Sequence, residues 1–393
     1  MGINYNNKKD RLFIYKEKKE KNISAFIEEN DVKKKFIYTV QDYKQNEEEK
    51  KIFEFKYQIP NLLLDRVICI FKTLDKKYYL LTDYYCEIYF GVFTNGIEIY
   101  DIKSEKITTV IKDFVFNSND SIVKMNYYAK GKKEYLFIIT FYSNVILYDI
   151  KTFREIVRMK KNKNSRGQNG FLLFDKKDNP IIYFLEEYVY NFEKYNLKGK
   201  FLGEFKPLYN DRIYQLELFF DEIKNNSYLI YLGSQNSTKK ILSYEATNEN
   251  FKLYNSFKVN NDLANFDIKK IKNEILLFIF DNKWDGELRD NIANIYIYDF
   301  HNNKLLYHIL EERKKFKKLF CYNENILICA NEKEFDIYDW KNKKYLGYIS
   351  NEGKEIISFN KINHPRFKEC LVVQSKNDIK LFKLKEYYNN YYY

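Results

Sequence analysis

The chain has 393 residues, of which 45% are hydrophobic and 31% are charged, a composition that argues against intrinsic disorder because it can supply a buried core. Its net charge of +12 comes mainly from Lys. Nucleic-acid readers depend on Arg for bidentate contacts, so this charge is weak evidence for a nucleic-acid partner. Aromatic residues make up 19% of the chain, and they favour β-strands because they suit a pleated, half-buried surface.

The N-terminal segment MGINYNNKKDRLF contains no apolar core of signal-peptide length. The longest nearly apolar stretch, residues 135–148, is too short to span a bilayer and is interrupted by Ser143 and Asn144. The five Cys residues lie in apolar runs without a CxxC motif, which is typical of reduced core thiols. We therefore expect an intracellular protein, cytoplasmic or nuclear, without a transmembrane segment.

One short pattern recurs along the chain: alternating apolar residues, then an aromatic residue, then an acidic or polar residue, then another apolar residue. Its period of two argues against a helical repeat. The aromatic residues of neighbouring copies are 40 to 54 residues apart, close to the roughly 40–45 residues of one propeller blade. In chain order the copies are IFEFKY (52–57, the weakest), IEIYDI (97–102), VILYDI (145–150), FEKYNL (192–197), KILSYEA (240–246), IYIYDF (295–300), FDIYDW (335–340) and IKLFKL (379–384).

Further apolar runs accompany most copies. Around VILYDI they are IVKMNYY (122–128) and LFIITFY (136–142) before it, and REIVRM (154–159) after it. Turn residues separate these runs, so each repeat is predicted to form four short strands, which is the pattern of a propeller blade.

These repeats resemble the WD-repeat and related β-propeller superfamily over nearly the whole chain. The family's Trp-Asp pair, near the end of the third strand, is replaced here by Tyr-Asp, and no Gly-His dipeptide precedes any copy. The Tyr-Asp pairs are Tyr100-Asp101, Tyr148-Asp149, Tyr298-Asp299 and Tyr338-Asp339. The resemblance implies an all-β fold, a single propeller of four-stranded antiparallel blades.

The eight copies suggest eight blades, although seven is commoner in this family and is also possible. We expect the propeller to occupy residues 1–386, followed by a short Tyr/Asn-rich tail at 387–393. The last copy has no fourth strand after it, so an N-terminal strand must close the ring and remove the exposed edge. RLFIYKE (11–17) is the candidate for that strand.

Sequence motifs for catalysis are absent, so we predict no enzyme, no cofactor and no metal. The three His residues, His301, His308 and His364, lack the spacing of common metal sites, and no GxSxG, P-loop or GxGxxG motif occurs. The acidic segment 281–291 fails the EF-hand pattern at Lys283. We interpret it as an insertion between a second and a third strand, with Trp284 as a candidate partner-contact residue.

Two basic runs, KKNKNSRG (160–167) and ERKKFKK (312–318), connect a fourth strand to the next first strand. In a propeller these connections lie on the same face as the 281–294 insertion. An alternative interpretation is that they are solvated Lys-rich loops. With Trp284, the candidate partner-binding residues are Lys160, Lys161, Lys163, Arg166, Arg313, Lys314, Lys315, Lys317 and Lys318.

The preferred hypothesis is a non-catalytic scaffold that presents its loop faces to other proteins, because propellers expose two broad faces and this sequence shows no catalytic motif. The alternative is a propeller that binds RNA or an anionic surface through the basic loops. A propeller enzyme is the third and least favoured hypothesis.

Overall fold

The structure is a computed structural model, and all its regular elements are β-strands within the residues it describes. The described residues are 12–16, 22–29, 32–39, 53–58 and, with short gaps, 68–384. The gaps are 90–91, 105, 113–121, 143, 161–166, 187–190, 209–210, 237, 248–249, 260–263, 286–289, 313–315, 332–333, 352–354, 365 and 376–377.

The chain divides into two units, Met1–Lys51 and Ile52–Tyr393. The first contains a three-stranded antiparallel sheet in the order β1-β2-β3. Its strands are β1 (Leu12–Lys16), β2 (Asn22–Glu29) and β3 (Val32–Thr39).

The second unit is a β-propeller of seven four-stranded antiparallel blades arranged in a ring. It begins with β4 (Phe53–Gln58). Blade 1 contains β5 (Ile68–Lys72), β6 (Tyr78–Tyr89), β7 (Val92–Asp101) and β8 (Lys106–Lys112). Blade 2 contains β9 (Ile122–Lys130), β10 (Lys133–Thr140), β11 (Asn144–Asp149) and β12 (Arg154–Lys160). Blade 3 contains β13 (Gly167–Phe174), β14 (Pro180–Glu186), β15 (Phe192–Tyr195) and β16 (Phe201–Phe205).

The remaining blades follow the same antiparallel order. Blade 4 contains β17 (Arg212–Asp221), β18 (Asn226–Gln235), β19 (Thr238–Thr247) and β20 (Asn250–Val259). Blade 5 contains β21 (Asn265–Ile271), β22 (Glu274–Asp285), β23 (Asp290–Asp299) and β24 (Lys304–Glu312). Blade 6 contains β25 (Lys318–Cys321), β26 (Ile326–Ala330), β27 (Glu334–Asp339) and β28 (Lys344–Ser350). Blade 7 contains β29 (Ile356–His364), β30 (Lys368–Ser375) and β31 (Asp378–Leu384), and its fourth strand is β4.

The predicted closure by an N-terminal strand is confirmed, but the predicted strand is wrong. β4 pairs with β31, whereas RLFIYKE contains β1, which pairs with β2. The order of the repeat explains the choice, since every fourth strand is followed in the chain by the first strand of the next blade. Residues 53–58 stand in that position before β5, and residues 11–17 do not.

The same finding makes the count of eight blades wrong and confirms the alternative of seven. The weak copy IFEFKY is the fourth strand of blade 7 rather than the third strand of an eighth blade. The predicted limits of the domain at 1–386 stay a prediction, and the tail at 387–393 lies outside the described residues.

The recurring aromatic residue marks a defined irregularity in each blade. In all seven blades the register between the third and fourth strands shifts immediately before that residue, at Tyr100, Tyr148, Tyr195, Tyr244, Tyr298, Tyr338 and Phe382. Such bulges increase the local twist of a strand pair. All these rings except that of Tyr298 are buried, so the motif fixes both the twist and the packing of a blade.

The acidic residue of the motif stabilises the turn between the third and fourth strands. The Oδ1 atom of Asp149 accepts hydrogen bonds from the backbone N–H and the hydroxyl of Thr152, both at 2.8 Å. Asp299 and Asp339 bond to the backbone N–H groups of Asn302 and Asn342 in the same way, at 3.1 and 3.0 Å. The Tyr-Asp pair is therefore a structural device, since short polar side chains stabilise turns by such bonds.

The turn bonds predict the effect of substituting Asp149. Asp149→Ala removes the acceptor for two donors and should lower the free energy of unfolding by about 1 kcal/mol, as measured by urea denaturation. Asp149→Asn keeps an oxygen acceptor and should cost only a few tenths of that loss. Equal losses in the two variants would contradict the proposed role of the hydrogen bonds.

The closure by β4 predicts the effect of N-terminal truncation. Removing residues 1–51 leaves β4 in place, whereas removing residues 1–60 exposes the backbone groups of β31 along a sheet edge. We expect the longer truncation to aggregate or to melt far below the shorter one, as measured by light scattering and thermal denaturation. Similar behaviour of the two truncations would show that another segment closes the ring.

Candidate interaction site around the central axis

The sequence-predicted site residues are dispersed over several elements. Lys160 ends β12, Lys317 precedes β25 and Lys318 begins it. Trp284 lies in β22 opposite Asn291, and the predicted insertion between a second and a third strand at 281–294 takes the form of a lengthened hairpin of β22 and β23. The backbone pairing of the two strands continues as far as Asp285 and Asp290. Six candidates lie outside the described residues: Lys161, Lys163, Arg166, Arg313, Lys314 and Lys315.

Lys317 and Lys318 are both engaged with the fold. The Nζ atom of Lys317 lies 3.9 Å from Oε1 of Glu355. Burial lowers the pKa of Lys318, an effect that nearby Glu355 opposes. The antiparallel strand order places the end of β12 and the start of β25 at the same end of their blades as the β22–β23 hairpin.

The first strands of the blades surround the central axis, since contacts between neighbouring blades run from first strand to first strand. Polar side chains on these strands bond across the blade boundaries. The amide of Gln215 donates to the carbonyl oxygen of Phe266 at 2.7 Å, and the backbone N–H of Phe266 donates to Gln215 at 3.0 Å. The backbone N–H of Cys321 donates to Asp267 at 2.8 Å. These bonds fix each blade against the next.

Four ionisable side chains gather among these strands. Lys124 of β9 donates to the amide oxygen of Asn169 at 2.6 Å and lies near Glu217 of β17. On β21, the ammonium group of Lys269 is 3.4 Å from Asp267. The cluster pairs two acids with two bases across blades 2, 4 and 5, so its charges largely compensate one another.

Burial dominates the electrostatics of this cluster. It raises the pKa of Glu217 to about 7, with the negative charge of Asp267 adding to the effect, and Lys269 and Lys124 oppose it. Burial also raises the pKa of Asp267 and lowers that of Lys124 to about 8. The pKa values of Glu217 and Lys124 move towards neutral pH because desolvation disfavours the charged form of both acids and bases. For Lys269, desolvation is outweighed by the charges of Asp267 and Glu217, which raise the pKa.

The turns between first and second strands form the rim of the central opening at the other end of the blades from the predicted loops. Blades 1 to 4 bring these turns together through three contacts. The backbone N–H of Leu74 donates to Glu134 at 2.8 Å, joining blade 1 to blade 2. The Nζ atom of Lys130 lies 4.0 Å from Oδ1 of Asp178 in blade 3 and 5.9 Å from the ring centre of Phe220 in blade 4.

This rim carries exposed apolar and basic side chains that we call the mouth patch. Its apolar residues are Leu74, Phe220 and Ile223, whose exposed fractions are 50%, 48% and 54%. Its basic residues are the exposed lysines Lys132, Lys133, Lys176 and Lys177. The patch was not predicted from the sequence because no run of like charge contains it. It could have been found from the positions of the two Lys-Lys pairs, which both fall between the first and second strands of consecutive repeats.

A buried triad holds the blade 4 part of the patch in place. The Asp221 carboxylate accepts a hydrogen bond from the backbone N–H of Ile223 at 2.8 Å and contacts Nε2 of His301, in blade 5, at 2.9 Å. The Tyr254 hydroxyl contacts Nδ1 of His301 at 3.0 Å. The imidazole ring therefore bridges Asp221 and Tyr254 through its two nitrogen atoms. The turn that carries Ile223 is therefore anchored to the next blade.

Within the described part of the chain, no three His, Cys, Asp or Glu side chains are grouped to hold a metal ion. None of the described residues forms an apolar helix of membrane-spanning length.

Comparison with solved structures confirms the fold that the repeats predict. BBS1N, in a crystal structure of its complex with ARL6DN soaked with mercury, aligns with a TM-score of 0.54 and 8% identity over 86% of this chain and 98% of that chain. A chain in the crystal structure of the Mitotic Checkpoint Complex aligns with a TM-score of 0.56 and 9% identity over 88% of this chain and 100% of that chain. No family model and no curated protein matches the chain.

These alignments and the ring define the class of the protein. It is a seven-bladed β-propeller that resembles the WD-repeat propellers, and the resemblance at this low identity is one of fold.

The cluster of Lys124, Glu217, Asp267 and Lys269 predicts how the free energy of unfolding depends on pH. The pKa of Glu217 is higher in the folded chain than its ordinary value of 4.5. Its contribution to stability is therefore complete below about pH 4.5 and is lost as the pH rises towards about 7. Glu217→Gln removes this loss, so the variant should gain about 1–2 kcal/mol relative to wild type between about pH 5 and pH 8.

Thermal denaturation of both proteins across this range measures the difference. Glu204→Gln, the same change at an exposed position of β16, is the matched control and should show no comparable trend. If the difference in stability between Glu217→Gln and wild type stays constant with pH, the raised pKa of Glu217 is contradicted.

Proposed function

We propose that the chain is a non-catalytic protein-interaction scaffold of WD-repeat propeller type, which presents its loop and turn faces to partner proteins in a complex. The observation that carries this proposal is the mouth patch, where three large, half-exposed apolar side chains lie beside lysines on turns that are already fixed in place. Exposed apolar residues that lie on one rigid surface and are bordered by polar side chains mark interaction sites.

The fold neighbours support the proposal. Both alignments are to propellers whose structures are named as protein complexes, BBS1N with ARL6DN and the Mitotic Checkpoint Complex. A shared fold does not carry a partner from one protein to another. What it supports here is the general use of a propeller as a platform.

The histidines support a non-catalytic function because each of them makes structural contacts. His301 belongs to the triad described above. His308 contacts the side-chain oxygen of Asn294 at 3.0 Å and stacks on Tyr296. The Nδ1 atom of His364 accepts from the backbone N–H of Arg366 at 3.2 Å. None of these rings is directed at a serine, cysteine or second histidine, as a nucleophile or metal site would require, in the contacts of the described residues.

An intracellular location, cytoplasmic or nuclear, is part of the proposal. Among the described residues, Cys69, Cys321 and Cys329 are free thiols in the buried core. Burial raises the pKa of Cys69 to about 12, so this thiol stays protonated and unreactive at neutral pH. Buried free thiols suit a reducing compartment.

Binding of RNA or an anionic surface is the second candidate function, because lysines also surround the mouth of the ring. Lys176, Lys177 and their neighbours could contact phosphates, and such binding would weaken steeply as salt rises. The apolar residues between the lysines favour a protein partner over this alternative.

Affinity purification of the tagged full chain from nuclease-treated cell extract, followed by mass spectrometry, tests the scaffold proposal. The expected result is a reproducible set of proteins in defined ratio that co-elute with the chain in size-exclusion chromatography at physiological salt. Gly170→Asp is the matched misfolding control, because a side chain there meets the backbone oxygen of Tyr183 and the Ile139 side chain. Recovery of nucleic acid alone, or of the same proteins by this control, would contradict the proposal.

A further inference from the structure

We propose that the mouth patch binds an acidic protein segment in which one or more large apolar side chains are flanked by Asp or Glu. This inference rests on the proposed scaffold function and assigns the chemistry of one partner. The surface is composed of Leu74, Lys132, Lys133, Lys176, Lys177, Phe220 and Ile223.

The four turns of the patch, 73–77, 130–134, 175–179 and 221–225, carry eight lysines against six carboxylates, and these carboxylates already have partners in the fold. Asp178 lies near Lys130, and Glu222 forms an ion pair with Lys270 at 2.9 Å. Asp175 accepts hydrogen bonds from the backbone N–H groups of Lys177 and Asn179, both at 2.8 Å.

The remaining acids of the four turns are engaged in the same way. Asp221 and Glu134 are buried, and Glu134 accepts from the Tyr127 hydroxyl at 2.7 Å. Asp75 pairs with Lys77 at 3.0 Å.

The lysines of the patch are less strongly compensated. Among the described residues, no ion pair within 4.0 Å involves Lys132, Lys133, Lys176 or Lys177, although the charge of Lys177 acts on nearby Asp175 and helps to lower its pKa. The two Lys-Lys pairs stand on the turns of blades 2 and 3, between Leu74 on one side and Phe220 with Ile223 on the other. A bound segment therefore meets apolar contacts at the two ends of the patch and positive charge between them.

This arrangement matches a protein segment better than it matches RNA. The patch contains no Arg, which supplies the bidentate contacts on which phosphate and base recognition depend. Its one aromatic ring, Phe220, already has the Lys130 ammonium group 5.9 Å from its centre, so it offers a restricted platform for stacking a base. Leu74 and Ile223 would make no favourable apolar contact with a charged phosphate backbone.

A lipid surface is also a poorer match. Each of the three apolar side chains packs about half of its surface against the fold. Membrane anchoring requires apolar groups that enter the acyl boundary and bury a large area there. The half that remains exposed suits the side chains of a peptide, which can cover it while carboxylates meet the lysines.

Selection of random dodecapeptides by phage display on the immobilised full-length chain tests the proposal. We expect the selected peptides to be enriched in Asp and Glu beside Phe, Leu, Ile or Trp. Their affinity is then measured by fluorescence anisotropy for wild type and two double variants. The patch variant K132E/K176E should bind at least about tenfold more weakly, because like charges then face each other.

K304E/K344E is the matched control, since Lys304 and Lys344 are exposed lysines at the start of β24 and β28 and their reversal changes the net charge equally. This variant should change the affinity by less than about twofold, beyond a general charge effect that falls with salt. Thermal denaturation checks that both variants remain folded, and Phe220→Ser gives an independent loss of binding without a change of charge.

Several outcomes would overturn the proposal. They are the recovery of no binding peptide, selected peptides without acidic enrichment, and equal losses in the patch and control variants. Tighter binding of phosphatidylserine vesicles or of a 20-nucleotide single-stranded RNA than of the selected peptides would overturn the class of partner. If K132E/K176E still recovers the purified partner set, the patch assignment fails while the scaffold function stands. If wild type recovers no partner, the scaffold function itself fails.

Discussion

The propeller depends on the pairing of β4 with β31, because β4 directly precedes blade 1 in the chain and completes blade 7, and so ties the two ends of the ring together. Once the ring is closed, every blade lies between two others, and bonds such as that from Cys321 to Asp267 fix the blade boundaries. The turns that follow the first strands are held in place in the same way, since some of them also bond to a neighbouring blade. A surface assembled from four of these turns can then exist before any partner binds, which lowers the entropic cost of binding.

The repeats made most of the fold predictable, because a period of two, four runs per repeat and a recurrent Tyr-Asp pair all point to one blade. The number of blades was misjudged for a physical reason. Alternation identifies a strand but not its position in a blade, and Phe55 stands directly opposite Phe382 in the pairing. The two copies are therefore neighbouring strands of one blade. The pairing partner of a terminal strand is a long-range contact, which no local pattern encodes.

The functional surface was less predictable than the fold. The partner-binding residues were predicted from runs of like charge at 160–167 and 312–318. The mouth patch, in contrast, is formed by one or two residues at each of four separate turns. Burial and pairing decide which charges are available, and the sequence does not display them. Asp221 and Glu134 would look like acidic neighbours of the patch, yet both are buried in structural contacts. Trp284 looked like a loop residue because Asp285 and Gly286 suggest a turn, although β22 continues through Asp285.

Disulfide trapping of the closing strand tests the central claim most directly. Glu54 and Lys383 are opposite each other in the pairing of β4 with β31, and directly opposed residues of antiparallel strands approach closely enough for a disulfide. Because the native Cys370 of β30 also lies opposite Lys383, the test is made in a chain that carries Cys370→Ala. In that chain the pair Glu54→Cys and Lys383→Cys should form an intramolecular disulfide rapidly under mild oxidation, as mapped by mass spectrometry of the digested chain. The pair Tyr15→Cys and Lys383→Cys should not, since Tyr15 pairs with Ser24. A disulfide formed only by the second pair would contradict closure by β4.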